Sequence, residues 1–207
     1  MPKRPRIVKH ALIAHHLNGL KSASASEVES RCRMQAMCDL VVLESLRELP
    51  ASDPDPDANG SHSSGMTYVV ISVMGRYQGF SESLARFLPE IEPGHICFVE
   101  ANEDQRQRYY AELPALGART LVFLCDLVLD STSPISSTLR ILKSYGARHI
   151  KCLSLFATQK EARILLRIHS ELELFCALLD KDSTIDGKRF PFRGIPLIEL
   201  PASRQDS

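Results

Sequence analysis

Between residues 67 and 179, five short apolar runs alternate with stretches of helical periodicity. The runs fall at 67–74, 95–99, 120–125, 150–156 and 173–179, and consist mainly of β-branched and aliphatic residues. They are apolar almost continuously rather than at every second position. That is the pattern of strands buried on both faces, as in a parallel sheet. The intervening segments 79–88, 134–145 and 158–169 carry apolar residues at helical spacing. Gly146 is placed to stop the second of these. Thr158 and Glu161 form a capping-box pair at the start of the third. The expected fold is α/β, a parallel sheet covered by helices on both faces. In such sheets ligands bind beyond the carboxyl ends of the strands. The chemistry is therefore expected just after Met74, Val99, Cys125 and Phe156, and near the tail after Leu179.

Upstream, residues 27–49 lack Gly and Pro and read as one long amphipathic helix. Residues 51–65 are rich in Pro, Asp, Ser and Gly and read as a flexible surface loop. Too little chain precedes that loop to fold alone, so 1–207 is expected to be one domain. Its parts are an N-terminal arm and helix (1–50), the loop, an α/β core (66–180) and a tail (181–207).

Lys and Arg number 25 and so do Asp and Glu, giving zero formal charge. A general nucleic-acid binder would need a basic excess. No apolar run approaches the length of a membrane span. The first 26 residues are basic and contain no acid. They read as an arm that stays on an intracellular, cytoplasmic protein, with a mitochondrial transit peptide as the alternative. Six cysteines stand at 32, 38, 97, 125, 152 and 176, without a C-x-x-C pair. They are expected to be reduced, with Cys125, Cys152 and Cys176 buried mid-strand, and their spacing does not suit a metal. His15 and His16 are adjacent and do not face one site, so a surface position is expected. His95 and His149 are expected to precede strands.

The segment LVFLCDLVLDSTSPISSTLRILKSYGARHIKCLSLFA (121–157) resembles the core of uracil phosphoribosyltransferases. These read approximately L-L-D-P-M-L-A-T-G-G-S-A, a helix, then G-A-x-x-I-x-x-L-x-L-x-A. Ile7-Val8-Lys9-His10 is similar to an L-V-K-H near the family's start, and Leu46–Pro50 to its R-D-L-P. GHICFV with Tyr109-Tyr110 and Leu113-Pro114 is similar to its G-H-I-G-L-Y and downstream Y-Y-x-x-L-P. The resemblance implies a type I phosphoribosyltransferase fold with an N-terminal helical arm. The implied chemistry joins uracil to phosphoribosyl pyrophosphate, making UMP, with Mg²⁺.

Four ligand segments depart from that pattern. A phosphate cradle needs inward backbone N–H groups opening onto a helix N-terminus. Where the family has A-T-G-G-S, this chain has Asp130, Ser131, Thr132, Ser133 and Pro134. Both glycines are lost, and Pro134 removes a donor. Asp130 puts a carboxylate beside the expected phosphate. At ~4 Å that repulsion costs about 1 kcal/mol per charge pair in water and about 4 near a protein surface. Asp126 matches the acid that holds the ribose hydroxyls. The plain reading of the rest is a helix start, with Ser133 as N-cap and Pro134 as first helical residue.

In the pyrophosphate loop Gly75 stands at the family's Arg position, with Arg76 next to it. Arg76 either reaches an anion from the loop or is a solvated cation. Glu100 replaces an Arg that serves the donor, and a carboxylate cannot donate to a pyrophosphate oxygen. The tail keeps Phe190-Pro191-Phe192 and Gly194 but lacks the family's G-D-A-G-D-R uracil segment. Phe190 and Phe192 could stack on a base, but hydrophobic closure over the sheet end is the simpler reading.

The expectation is a degenerate relative with a structural, regulatory or assembly role, as a homodimer or a subunit. An active transferase using Mg²⁺ and phosphoribosyl pyrophosphate is the first alternative. A nucleotide-binding module on the same fold is the second. No other cofactor and no resident metal are expected.

Overall fold

The apolar runs form the centre of a seven-stranded sheet in a computed structural model that describes residues 3–20, 26–49, 66–73, 78–99, 108–129 and 133–180. The elements in chain order are β1 (Arg6–Ile7), α1 (Ala11–Leu20), α2 (Glu27–Leu46), β2 (Thr67–Val73), α3 (Gly79–Phe87), β3 (Glu92–Val99), β4 (Arg108–Glu112), β5 (Thr120–Leu129), α4 (Ile135–Ser144), β6 (His149–Thr158), α5 (Gln159–Ile168) and β7 (Glu173–Asp180). The strand order is β1-β7-β6-β5-β2-β3-β4, parallel throughout except for the β3–β4 pair. The loop expected at 51–65 and the tail at 181–207 lie outside the described residues.

Two cores follow from the two faces of the sheet. One joins Ile13 of α1, Met34, Met37, Val41 and Val42 of α2, and Phe80 and Leu84 of α3 to Val70 and Phe123. The other joins Leu139 and Leu142 of α4, and Leu165 and Leu166 of α5, to Val69, Val122 and Leu174. Each face needs an amphipathic partner, because both sets of strand side chains are apolar.

Helix ends are set by local chemistry. The Ser26 hydroxyl accepts from Glu29 N at the start of α2. The Thr158 hydroxyl accepts from Glu161 N at the start of α5, half of the capping box. At the end of α4, Gly146 takes φ +96°. Its N–H reaches Lys143 O at 3.0 Å, and Ala147 N reaches Leu142 O at 3.0 Å. Both bonds of a Schellman ending are present, and only glycine adopts that φ without strain.

The structure corrects several expectations. The N-terminal arm is helical as expected and also adds a short strand: β1 pairs with β7, and Lys3 Nζ donates to Glu171 O at 2.7 Å. The polar stretch after residue 99 contains β4, which runs antiparallel and closes one edge of the sheet. His95 lies within β3, not before it. β5 does not stop at residue 125 but continues through a buried Asp126 to Leu129. Helix α4 begins at Ile135, so Pro134 is the N-cap and Ser133 lies outside the helix.

The buried thiols agree with the sheet assignment. Cys125, Cys152 and Cys176 are buried, as is Cys38 of α2, while Cys32 is exposed. Burial pushes the Cys125 and Cys152 thiols well up, and Cys176 up to about 12. These are inert core groups at neutral pH.

His169 closes α5 against β7 and is 3 % exposed. Lys143 Nζ lies 2.7 Å from its Nδ1 and pairs with Glu171. The ammonium can only donate, so the neutral ring carries its proton on Nε2. Burial first, then the Lys143 charge, lowers the His169 pKa below 6.5. Below that pH the unfolded chain therefore binds a proton that the folded chain refuses. Stability should fall as pH drops below 6.5 toward the lowered value. Urea unfolding at several pH values between 7 and 5 checks this. His169→Gln should lose less stability over that range than the parent; an equal loss would contradict the assignment.

Candidate active-site crevice

The strand order reverses between β2 and β5. From β2 the chain proceeds to β3 on one side, and from β5 to β6 and β7 on the other. Helix α3 follows β2 onto one face, and α4 follows β5 onto the opposite face. The connections diverge there and open a crevice at the carboxyl ends of the two central strands. The register sets Ser72 beside Cys125, so the next residue of β5, Asp126, stands at the mouth.

Asp126 is 1 % exposed at that position. It points to the α4 side, in the phase of Val122 and Leu124. Ser133 Oγ donates to Asp126 Oδ2 at 2.7 Å. The same Oγ lies 3.4 Å from Ile135 N, too long to cap α4 well. Pro134, at the N-cap, has no side-chain acceptor, and its carbonyl takes both the N–H and the hydroxyl of Thr138. The helix expectation fails by one residue: the Ser133 hydroxyl donates to the buried carboxylate, and the position this fixes leaves its oxygen only a long approach from the first helical N–H.

On the opposite face of the same crevice, Ser72 Oγ of β2 lies 2.6 Å from Ser81 Oγ of α3. Ser154 of β6 pairs with Asp126 across the sheet. Its Oγ lies 2.7 Å from Phe156 O and 3.3 Å from Leu127 O. The side-chain alternation slips at this level in three strands together. Leu127 and Val128, Leu155 and Phe156, and Ala177 and Leu178 are consecutive pairs, yet each pair packs into the same core. Such a slip re-aims the strand ends. Sequence reasoning missed Ser72 and Ser154. Their signal was a hydroxyl inside an otherwise apolar strand, which the continuous-run reading absorbs.

Of the sequence-derived candidates, the structure brings together Asp126, Ser133 and Pro134. Gly75, Arg76, Glu100, Asp130, Ser131, Thr132, Phe190, Phe192 and Gly194 lie outside the described residues. Among the described residues, no group of three His, Cys, Asp or Glu side chains could hold a metal ion. Among the described residues, no helix is long and apolar enough to cross a membrane.

Comparison with known proteins agrees with this geometry. The sequence model of the family described as uracil phosphoribosyltransferase matches residues 7–195. A uracil phosphoribosyltransferase of Thermosipho africanus is 24 % identical over 194 residues, covering 91 % of this chain and 93 % of its own. One of Pediococcus pentosaceus is 25 % identical over 194 residues, with the same coverage. Among solved structures, the AQ2163 protein from Aquifex aeolicus superposes with a TM-score of 0.67 at 16 % identity, over 84 % of this chain and 86 % of that one. The APRTase from Giardia lamblia complexed with 9-deazaadenine gives 0.52 at 13 % identity, over 75 % and 83 %. With a seven-stranded sheet of this topology, an acid at its switch point and a family match across most of its length, the chain belongs to the uracil phosphoribosyltransferase family.

Proposed function

We propose that this member of the family has lost uracil transfer and keeps the fold for a structural, regulatory or assembly role, as a homodimer or a subunit of a larger complex. The observation that carries the reading is the state of Asp126. Its carboxylate, at the position matching the ribose-binding acid, is buried and takes a hydrogen bond from Ser133. A ribose hydroxyl reaching this carboxylate must share Oδ2 with Ser133 or draw the buried side chain toward the crevice, which weakens the hold on the ribose. Asp130, Pro134, Gly75 and Glu100 weaken the donor site in the same direction. Donor binding is mostly positioning and electrostatics, so these changes fall on its main contributions. An intracellular site, cytoplasmic or mitochondrial, goes with this reading.

The second reading is an active transferase making UMP from uracil and phosphoribosyl pyrophosphate. What favours it is that Asp126 is retained at the switch point. Radiolabelled uracil with phosphoribosyl pyrophosphate and Mg²⁺ separates the two. The proposal expects no UMP above a protein-free control, and steady formation of UMP would establish the second reading instead.

A further inference from the structure

Away from the crevice, a groove of about 890 Å³ runs between the N-terminal segment and α5, along the β1 edge of the sheet. Its rim carries Lys3, Arg4, Lys160, Arg163 and Arg167, and among the described residues no acidic side chain lines it. Lys3 is held by the Glu171 carbonyl. Arg4, Lys160, Arg163 and Arg167 are exposed and make no ion pair among the described residues. This contrasts with the next stretch of the same edge, where Arg6 pairs with Glu48 at 2.7 Å and Glu173 at 3.2 Å. In a chain with zero net charge, a locally unneutralised cationic rim is a specific feature.

Lys160, Arg163 and Arg167 are spaced i, i+3 and i+7, so they form one stripe along α5. The stripe is about 10 Å long at 1.5 Å per residue. The charges are spread along a line rather than gathered on one point, which suits an extended series of anions better than a single phosphate. The floor is aliphatic, with Ile7 (43 % exposed), Ile164 and Leu179. Among the described residues no aromatic side chain lines the groove, so they offer a nucleic-acid single strand no stacking platform.

We infer that this groove docks an acidic amphipathic segment of a partner protein, with carboxylates on the cationic rim and aliphatic side chains on the floor. The rim charges would steer the encounter and set its register, and the floor would supply buried apolar area. The site shares no residue with the crevice and stands whether or not the chain transfers uracil.

Fluorescence anisotropy on the full-length protein tests this, using a labelled peptide of alternating glutamate and leucine blocks in a helical amphipathic pattern. The peptide should bind, and the same peptide with glutamine for glutamate should not. The double variant Arg163→Glu/Arg167→Glu should weaken binding tenfold or more. The charge-matched control Arg31→Glu/Arg47→Glu, at exposed residues of α2 and its C-cap, should change it less than twofold. All four substituted side chains are exposed, and circular dichroism with thermal unfolding checks that both variants remain folded. Absence of binding at millimolar peptide overturns the inference, as does equal weakening by the control. So does a uridylate oligonucleotide that binds more tightly than the peptide through Arg163 and Arg167.

Discussion

Replacing residues 130–134 by Ala-Thr-Gly-Gly-Ser should raise the affinity for ribose 5-phosphate tenfold or more and still leave uracil transfer undetectable. The substitutions are Asp130→Ala, Ser131→Thr, Thr132→Gly, Ser133→Gly and Pro134→Ser. They remove one carboxylate, restore one backbone donor and supply two permissive glycines. The charge change alone is worth roughly 1–4 kcal/mol, and about 1.4 kcal/mol is a factor of ten. Ser133→Gly also frees Asp126 Oδ2 for a ribose hydroxyl. Transfer should stay absent because Gly75, Glu100 and the altered tail are unchanged. Titration calorimetry with ribose 5-phosphate and a uracil assay read the two halves separately. A graft that restored turnover by itself would mean that one loop accounts for the whole defect.

Phe175→Ala should destabilise the core on the α2 face by about 3–5 kcal/mol. The ring is 1 % exposed in β7. The Arg6 guanidinium lies 5.3 Å from its centroid and Lys151 Nζ lies 5.6 Å from it. Lys151 is itself buried and donates to Ser45 O at 2.7 Å, holding the last turn of α2 to β6. Burial lowers the Lys151 pKa, so its charge is retained against a desolvation cost that the ring and the carbonyl offset. Removing the ring leaves a cavity beside a buried cation. Phe175→Leu keeps most of the volume and should cost roughly 1.5 kcal/mol or less. Urea unfolding of both variants reads the difference. An alanine cost below about 1 kcal/mol would show that the ring is not part of a packed core.

The parallel centre of the sheet was legible because its strands are buried on both faces, and burial leaves a continuous apolar run. TYVVISV and TLVFLC announce themselves in that way. The edges were not legible. β4 reads RYYAE, with Tyr109 and Tyr110 exposed, and β1 is two exposed residues. Such strands are defined by the neighbour they pair with, not by their own composition. The site was legible where a resemblance fixed a position, as for Asp126. It was not legible where a tertiary contact sets a side chain's position. Ser133 before a proline suits an N-cap on local grounds alone, but its hydroxyl is placed by donation to a carboxylate seven residues earlier. That contact exists only once β5 and α4 are packed together, so local capping preference does not contain it.

The central claim is that the donor site no longer holds its substrate. Titration calorimetry of the full-length protein with phosphoribosyl pyrophosphate and Mg²⁺ measures this without requiring turnover. The account predicts no saturable heat up to millimolar donor. A saturable isotherm with micromolar affinity would contradict it and return the chain to the active members of its family.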